Sequence, residues 1–465
     1  MSNSGEAKRT LTLIPVVLFG LSFMGLTTAF TTYGIAANTS HGVVPGAMLI
    51  ATVVMMFTAY SYGKMAVAFP SSGSAYVYTQ KSLNPSVGFL VGWVILMDYL
   101  FMPMVNYLAF GIFFSAAFPA IPSYVWIAGM LIVVTIINIK GLKFATNINA
   151  FITIFAFLFI LIFIGFSIRE VLMAKGASAL LTFEPFINVG EPFSYTIAGA
   201  ALLCFCFLGF ESVTAFSEET VNPKKTIPRA IIIITIGGGL LFTCVAYFSH
   251  LVWPSYQTFN NSEAAAYEII KLVGGKVMYS VYLALYAFAV LGSAMASQAS
   301  ASRVLFTMGR DGQFPKKFFG VLHAKYKTPV NNIVLISVFS LSALFLTLEL
   351  VASFINFGAF LAYTCVNIAV IAHYYVRKKE RSFKGIILYL MIPVTGAILS
   401  LVLLVNLDMY SKTLGVSWLA LGFVYLFVLT KGFKEQPPVL KIEESYDVDL
   451  TSHGAYQGKR QNSLT

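Results

Sequence analysis

The chain has 465 residues, of which 58% are hydrophobic and only 11% are charged. Because soluble domains carry about 25% charged residues, this composition excludes a soluble enzyme, and the high hydrophobicity excludes a disordered chain. The charge is unbalanced, with 30 Lys and Arg against 19 Asp and Glu and a formal net charge of +11. Taken alone, such an excess is also found in proteins that bind nucleic acids or acidic lipids.

Twelve apolar stretches of the sequence are each long enough to cross a bilayer, which requires about 20 residues per helix. They occupy roughly residues 11–37, 43–69, 86–118, 121–139, 148–172, 194–216, 230–252, 277–301, 331–349, 351–376, 385–406 and 413–430. Residues 1–10 are polar and no small-residue cleavage site follows the first stretch, so we expect no cleaved signal peptide. Residues 431–465 form a polar tail that we expect to be disordered.

An even number of spans places both termini on the same side of the membrane. Loops on that side hold about 25 of the 30 basic residues, and the others lie in the opposite loops. The positive-inside rule therefore predicts that both termini are cytoplasmic in a multi-pass protein of the plasma (inner) membrane. The placement of basic residues in cytoplasmic loops then accounts for the net charge of +11. These residues are also expected to attract anionic membrane lipid, and nucleic acid is not an expected partner.

Two carboxylates lie in the middle of predicted spans, where an acidic residue costs about 2.5–3.5 kcal/mol on insertion scales. Asp98 is in the third span and Glu211 is in the sixth. Such residues mark substrate or proton pathways in membrane proteins. The alternative for each is a structural contact to a backbone carbonyl or a Tyr hydroxyl on another helix.

Spans one and six contain glycines near their middles: Gly20, Gly25 and Gly34 in span one, and Gly199 and Gly209 in span six. Glycine lowers helix stability by about 1 kcal/mol relative to alanine, so both helices are expected to be interrupted. Interrupted segments in corresponding halves of a chain indicate a transporter binding site, and a separation of five spans suits two inverted five-helix repeats. The alternative is that these glycines only allow close helix packing.

Small residues recur at spacings of three and four in span eight, residues 292–302. This pattern indicates a close-packing face with hydroxyls able to bond across helices, although Ser297 could also face a substrate. Beyond the end of span six, Glu218 and Glu219 lie near Lys224 and Lys225. They are interpreted either as an inner salt-bridge gate or as a solvated loop.

Three blocks of sequence resemble the amino acid–polyamine–organocation (APC) superfamily of secondary transporters over nearly the whole chain. They comprise residues 69–78 with 88–93, residues 207–211 with 218–223 and 227–230, and residues 302–312 with 315 and 328–329. Within the superfamily the chain is similar to bacterial putrescine importers of the Puu type, through residues 60–64, 75–82, 97–101 and 354–359.

The resemblance implies an all-α integral membrane protein with twelve transmembrane helices in a leucine-transporter-like fold. Residues 11–172 and 194–376 would form two inverted five-helix repeats with broken helices one and six, and residues 385–430 would form two extra helices. The resemblance also implies coupling to an ion gradient, usually of protons.

Roles for single residues follow from the same resemblance. The matched positions are Gly25, Leu26, Thr27 and Thr28 for the unwound part of helix one, Phe205 for an aromatic residue that closes over substrate, and Glu211 for proton coupling or substrate contact. The chain departs from the putrescine importers in having Thr31 where they have an acidic residue, and Glu211 where they have Asp. Without a carboxylate in helix one, the case for a dication as the substrate is weaker, and a neutral amino acid or another amine is an alternative.

We expect Asp98 and Glu211 to offer negative charge to an ammonium group. Free N–H groups of broken helix one, with the hydroxyls of Thr27 and Thr28, would bind a carboxylate if the substrate has one. Phe205 would stack on the amine or bind it by a cation–π contact. Because burial disfavours the charged form of a carboxyl, Glu211 is also the predicted proton site. Gly209 and Ser297 complete the predicted site.

The predicted function is that of a secondary active permease, not an enzyme, which imports an amino acid or a putrescine-like polyamine by proton symport. An exchanger of the same fold is the alternative, and an amine sensor that does not transport is another. A channel needs a continuous polar lining and an intramembrane enzyme needs paired catalytic groups at one depth; the sequence has neither pattern. The four cysteines lie inside spans without zinc-site spacing, so no metal or cofactor is expected. The oligomeric state is left open.

Overall fold

The computed structural model describes residues 11–70, 74–141, 146–187, 190–217, 219–310, 312, 314–326 and 328–437. The predicted N-terminal segment 1–10, the tail from residue 438 and Glu218 lie outside these ranges. Within them the chain forms helices and no strand, with one isolated parallel bridge between Leu11 and Thr220. The all-α fold class is therefore confirmed.

Sixteen α-helices follow one another along the described residues. They are α1 (Leu13–Met24), α2 (Thr28–Thr39), α3 (Val44–Ala68), α4 (Ser74–Ser82), α5 (Pro85–Ala117), α6 (Ser123–Lys140), α7 (Thr146–Lys175), α8 (Phe193–Leu203), α9 (Pro223–Val252), α10 (Ala265–Arg310), α11 (Lys316–Phe319), α12 (Val330–Ser340), α13 (Leu348–Val370), α14 (Phe383–Ile386), α15 (Ile392–Val405) and α16 (Met409–Leu429). Two π-helical stretches, Ile371–Arg377 and Ile387–Met391, continue α13 and precede α15.

Ten helical segments of the described chain are long and apolar enough to cross a membrane, and the bent pair of α1 and α2 raises the number to eleven. The predicted span at 331–349 corresponds to a shorter apolar helix, Val330–Phe345. It is α12 continued by a 3-10 turn, and its 16 residues reach roughly 24 Å against a hydrocarbon core of about 30 Å. Ten or eleven membrane-length helices support a multi-pass protein, and the count of twelve stays a prediction.

The most extensive helix–helix contacts join α3 to α9 and α5 to α10. These helices are predicted spans two and seven, and three and eight, which an inverted-repeat scheme would treat as counterparts. α13 packs against both α5 and α15. α2 lies at the centre, because every residue from Ala29 to Ala37 is buried. α2 follows the first helix break, so the break belongs to the interior of the protein.

A buried polar network joins α6, α10 and α12. The Asn138 Nδ2 donates to the Gln298 Oε1 at 2.7 Å, and the Gln298 Nε2 donates to the Ser337 Oγ at 2.9 Å. The Ser337 and Thr135 hydroxyls lie 2.8 Å apart. In the described residues, span eight bonds across helices through the Gln298 amide and through the Tyr279 hydroxyl, which donates to the Phe113 carbonyl of α5 at 3.0 Å. The sequence had suggested the hydroxyls of the small residues.

Candidate substrate-binding site

The first membrane span is interrupted at residues 25–27, where the axes of α1 and α2 differ by 43°. Gly25 has a φ of +69°, a left-handed conformation that glycine adopts without strain. The Thr28 hydroxyl donates to the Met24 carbonyl at 3.2 Å and so spans the break. The predicted interruption of helix one is confirmed.

The break leaves polar groups at the start of α2 without partners. Within the described residues, nothing accepts a hydrogen bond from the backbone amides of Leu26 and Thr27 or from the Thr27 hydroxyl. Free amides at the beginning of a helix attract anions such as a carboxylate. Thr27 is thus available to a ligand, whereas the hydroxyl of Thr28 is already engaged by its own segment.

The sixth span is interrupted after α8. A 3-10 turn covers Cys204–Phe207, and a second 3-10 stretch, Phe210–Phe216, begins after Gly209. Gly209 has a φ of +104°, and a Cβ there would lie 2.5 Å from the Phe23 ring and 3.3 Å from the Phe23 carbonyl carbon. Glycine is needed here both for the turn and for the approach of α1. The predicted interruption of helix six is confirmed, and the two interruptions contact each other.

The halves of the two broken spans are linked in pairs. The predicted topology places α2 and the Cys204–Phe207 turn in the outer halves of their spans. Between these halves, the Thr32 hydroxyl lies 3.3 Å from the Cys206 Sγ. In the inner pair, the Phe19 ring of α1 packs edge-on against the Phe216 ring at 4.3 Å. Spans one and six therefore form one unit on both sides of the break.

A backbone bridge fastens the beginning of span one to the loop after span six. The Leu11 N–H donates to the Glu219 carbonyl at 3.0 Å, and the Val221 N–H donates to the Leu11 carbonyl at 2.8 Å. The Glu219 side chain is exposed and forms no ion pair with any described residue. Its backbone, rather than its charge, makes the connection between the two inner halves.

The two carboxylates singled out from the sequence lie near each other. Asp98 of α5 and Glu211 of the Phe210–Phe216 stretch are both half-buried, and their carboxyls interact electrostatically. The Glu211 Oε2 accepts a hydrogen bond from the Gly209 N–H at 3.2 Å. Among the described residues neither carboxyl has a cationic partner, and Asp98 accepts no hydrogen bond. The site therefore presents acidic groups that the rest of the described protein does not neutralise.

Three buried aromatic rings lie beside Glu211. The ring of Tyr62 on α3 is 5.4 Å from Phe210 and 5.9 Å from Tyr363 on α13. Both tyrosines are within electrostatic reach of Asp98 and Glu211. The Tyr363 hydroxyl has no hydrogen-bond partner among the described residues. Such rings can bind an alkylammonium group by cation–π contact. Sequence reasoning did not single out these rings, because nothing in the sequence separates Tyr62 or Tyr363 from the other 22 of the 24 tyrosines.

Asn356 of α13 supports the break in span six. Its Nδ2 donates to the carbonyls of Ala201 and Leu202 at 2.9 and 3.0 Å. These carbonyls lie in the last turn of α8, where regular helical hydrogen bonding ends. The Asn356 Oδ1 is buried and has no partner among the described residues. The only signal in the sequence was an amide within an apolar stretch, and span ten contains a second one at Asn367.

Two further predicted site residues are buried. Phe205 lies in the 3-10 turn of span six and is 6% exposed. The Ser297 hydroxyl donates to the Ser293 and Ala294 carbonyls of its own helix, at 2.8 and 3.2 Å. Substrate contact by either residue stays a prediction, and the hydroxyl of Ser297 would have to leave its helix to make one.

Comparison with known proteins is consistent with this architecture. The model of a family described as amino acid permease matches residues 17–431. The chain belongs to this family. The resemblance to the APC superfamily is thereby confirmed, and the chain is a multi-pass membrane permease rather than an enzyme.

Several curated relatives match the permease over most of its length. It is 40% identical to the low-affinity putrescine importer PlaP of Escherichia coli (strain K12), over 93% of this chain and 96% of the relative. It is 26% identical to the branched-chain amino acid permease BcaP of Bacillus subtilis (strain 168), over 92% and 95%. It is 25% identical to the methylthioribose transporter of the same organism, again over 92% and 95%.

Proposed function

We propose that this permease imports a small aliphatic amine, with putrescine as the main substrate, in symport with protons. The observation that carries the proposal is the pair of interacting, half-buried carboxyls of Asp98 and Glu211, which have no cationic partner in the described residues. Glu211 lies directly after the break at Gly209 and accepts a hydrogen bond from its N–H. An uncompensated acidic site inside a membrane protein selects for a cation. The 40% identity to a putrescine importer supports the same substrate class.

The two carboxyls take different roles in this mechanism. Asp98 binds one ammonium group of the amine, and the rings of Tyr62 and Tyr363 receive the alkyl chain and the second ammonium. Glu211 carries the proton. Two carboxylates at short range repel each other, and either a proton on Glu211 or a cation between them relieves that repulsion. Proton loading on one side and release on the other then couple the gradient to substrate movement.

The same proposal includes the complete architecture. Twelve spans, with inverted repeats at 11–172 and 194–376 and two extra helices at 385–430, would place the site between the repeats, and both termini would be cytoplasmic. The interruptions in spans one and six and the packing of α3 on α9 support this scheme. Alternating access would follow from rocking of one bundle against the other around the site.

An amino acid is the second candidate substrate, and one observation favours it. The free amides of Leu26 and Thr27 suit a carboxylate, which putrescine lacks. Replacement of the helix-one acid of putrescine importers by Thr31 points the same way, because the Thr31 hydroxyl only donates to the Thr28 carbonyl at 2.9 Å.

Uptake into vesicles tests the proton role and the binding role separately. Purified permease in liposomes should accumulate labelled putrescine when the outside is acidified. Glu211→Gln should abolish the response to the pH gradient, and Asp98→Asn should raise the KM at least tenfold. Glu349→Gln, which removes an exposed carboxyl at the start of α13, away from the candidate site, serves as the control and should behave as wild type. Gradient-driven uptake by Glu211→Gln would refute the proton role, and unchanged kinetics for Asp98→Asn would make that residue structural.

Competition separates the two substrate classes. Labelled putrescine uptake should be inhibited by unlabelled polyamines and not by leucine, at each of two pH values. Inhibition by amino acids, with direct uptake of labelled leucine, would favour the second candidate. Uptake that requires substrate inside the vesicles and ignores the pH gradient would indicate an exchanger.

A further inference from the structure

A group of basic side chains lies on tyrosine rings where α3 ends and where the chain passes from α13 to α15. We call it the basic–aromatic patch. It consists of Lys64, Lys378, Lys379, Arg381 and Lys384 together with Tyr60, Tyr374 and Tyr389. None of these residues belongs to the candidate substrate site.

The rings of the patch form a platform for ammonium groups. The Lys64 Nζ is 5.3 Å from the centre of the Tyr60 ring and 5.4 Å from that of Tyr389. Tyr389 stacks on Tyr374 at 4.5 Å with the ring planes 7° apart. The Lys378 Nζ in turn is 5.0 Å from the centre of the Tyr374 ring. Each ring of the stacked pair therefore carries one lysine.

Backbone contacts hold this platform in place. The Tyr374 hydroxyl donates to the Lys64 carbonyl at 3.1 Å, which joins the π-helical end of α13 to α3. The Arg377 guanidinium donates to the carbonyls of Lys81 and Leu83, at 2.7 and 3.2 Å. Arg377, which is not part of the patch, thus ties the segment to the end of α4, and the cations of the patch remain available to a ligand.

The positive charge of the patch is not neutralised by the described protein. Residues 377–384 contain five basic residues and one acidic residue, a net charge of +4. No carboxylate of the described chain is within ion-pair distance of Lys64, Lys378 or Lys384. Lys64 and Lys384 are moreover close enough to repel each other. An arrangement that gathers like charges on aromatic rings favours the binding of an anion, which offsets the repulsion.

The patch lies where helices of membrane-spanning length end. It is formed by the ends of three membrane-length helical segments, Val44–Ala68, Leu348–Arg377 and Phe383–Val405. Beside the cations, Phe383 is 82% exposed and Val376 is 54% exposed. Exposed apolar side chains next to a cation cluster fit the boundary between headgroups and acyl chains. A soluble anion would make no contact with these apolar side chains.

We propose that the basic–aromatic patch binds the phosphate headgroup of an anionic phospholipid, such as cardiolipin or phosphatidylglycerol. The phosphate contacts Lys64, Lys378 and Lys384, and the acyl chains lie along Val376 and Phe383. Basic clusters at the cytoplasmic ends of membrane helices bind such lipids through the attraction of each Lys or Arg for the anionic surface. The bound lipid fixes the ends of α3 and α13, the helices that carry Tyr62 and Tyr363 into the candidate site.

Lipid binding by purified full-length permease in detergent tests the proposal without reference to transport. The quadruple variant Lys378→Gln, Lys379→Gln, Arg381→Gln and Lys384→Gln removes the exposed part of the patch. The matched control, Lys224→Gln, Lys225→Gln, Lys316→Gln and Lys317→Gln, removes equal charge from other exposed positions. Native mass spectrometry counts bound lipid, and thermal unfolding measures stabilisation by added cardiolipin, phosphatidylglycerol, phosphatidylcholine or inorganic phosphate.

Wild type and the control should bind cardiolipin and unfold at a higher temperature with it, and the quadruple variant should bind at least tenfold more weakly. Equal loss in the control, or equal stabilisation by phosphatidylcholine, would overturn the proposal. Equal stabilisation by inorganic phosphate would make the ligand a free anion and overturn the assignment to lipid. If the quadruple variant does not fold, Lys64→Gln alone should weaken binding several-fold, and unchanged binding would refute the site.

Discussion

Asn356 supplies hydrogen bonds that the broken sixth span cannot supply for itself. In a membrane interior no bulk water can satisfy a carbonyl that has lost its helical partner, and each such group costs several kcal/mol. The Asn356 amide meets two of these carbonyls, on Ala201 and Leu202. The position of α13 is thereby coupled to the shape of the break. A residue outside the predicted site thus controls the geometry of that site.

Replacement of this amide should be costly. Asn356→Ala removes the side-chain hydrogen bonds to both carbonyls in the interior, so we expect a loss of about 1–3 kcal/mol in stability and reduced uptake. Asn406→Ala is a suitable control, because the Asn406 amide also donates to a helix carbonyl, at 2.8 Å, but at an exposed position. Thermal unfolding and uptake would be measured for both variants. Equal behaviour of the two would mean that Asn356 does not support the break.

The residues that the sequence could and could not identify differ in a simple physical way. Asp98 and Glu211 stand out because a carboxyl in an apolar stretch is anomalous whatever surrounds it. Asn356 and Tyr363 matter because of what they contact, and those contacts join segments more than 100 residues apart. Tertiary pairing of this kind leaves no local pattern in one sequence.

At the scale of elements, glycine content alone overestimates the number of breaks. Gly25 and Gly209 have positive φ and interrupt their spans. Gly20, Gly34 and Gly199 lie inside helices instead, and a Cβ at Gly34 would meet the Ser262 carbonyl. Helix interruption therefore explains Gly25 and Gly209, and close helix packing explains the glycines that lie inside helices. Hydropathy has a similar limit, since it located the apolar run at 331–349 without showing that the helix there is short.

Gly209→Ala tests the requirement for a close contact between the two breaks. The added Cβ would meet the Phe23 ring and backbone, and an alanine with a φ of +104° is strained by about 1–3 kcal/mol. Gly129→Ala on α6 adds a methyl group with nothing within 4 Å and should be neutral or slightly stabilising. We expect lower thermal stability and lost uptake for the first variant only. Wild-type uptake by Gly209→Ala would show that the break tolerates a side chain.

Across the whole molecule, two sets of contacts each hold several helices together. The network of Asn138, Gln298 and Ser337 joins α6, α10 and α12, with bonds that average about 0.6 kcal/mol each in membrane interiors. The bridge at Leu11 and the contact of Gly209 with Phe23 join spans one and six. Asp98 lies on α5, which packs against α10, whereas Glu211 lies on span six. The two carboxyls thus lie on helices held by different sets of contacts, an arrangement compatible with the proposed rocking motion.

The orientation of the molecule rests on its basic residues and is open to a direct test. Moving one charge across a membrane potential costs about 2.3 kcal/mol per 100 mV, so Lys-rich loops resist transfer to the outside. Cys244 is exposed, so the four native cysteines are first replaced by serine. Single cysteines are then introduced as Ser178→Cys or Ser255→Cys for the outer side, and as Lys225→Cys or Lys316→Cys for the inner side; all four positions are exposed.

An impermeant maleimide added to intact cells should label positions 178 and 255, and should label 225 and 316 only after permeabilisation. Labelling of all four from one side would contradict the separation of these loops by spans six, seven and eight. The reverse pattern would invert the topology. Glu211 would then release its proton to the opposite compartment, and the basic–aromatic patch would face the outer leaflet. The labelling experiment therefore determines both the direction of proton-coupled transport and the leaflet from which the patch binds lipid.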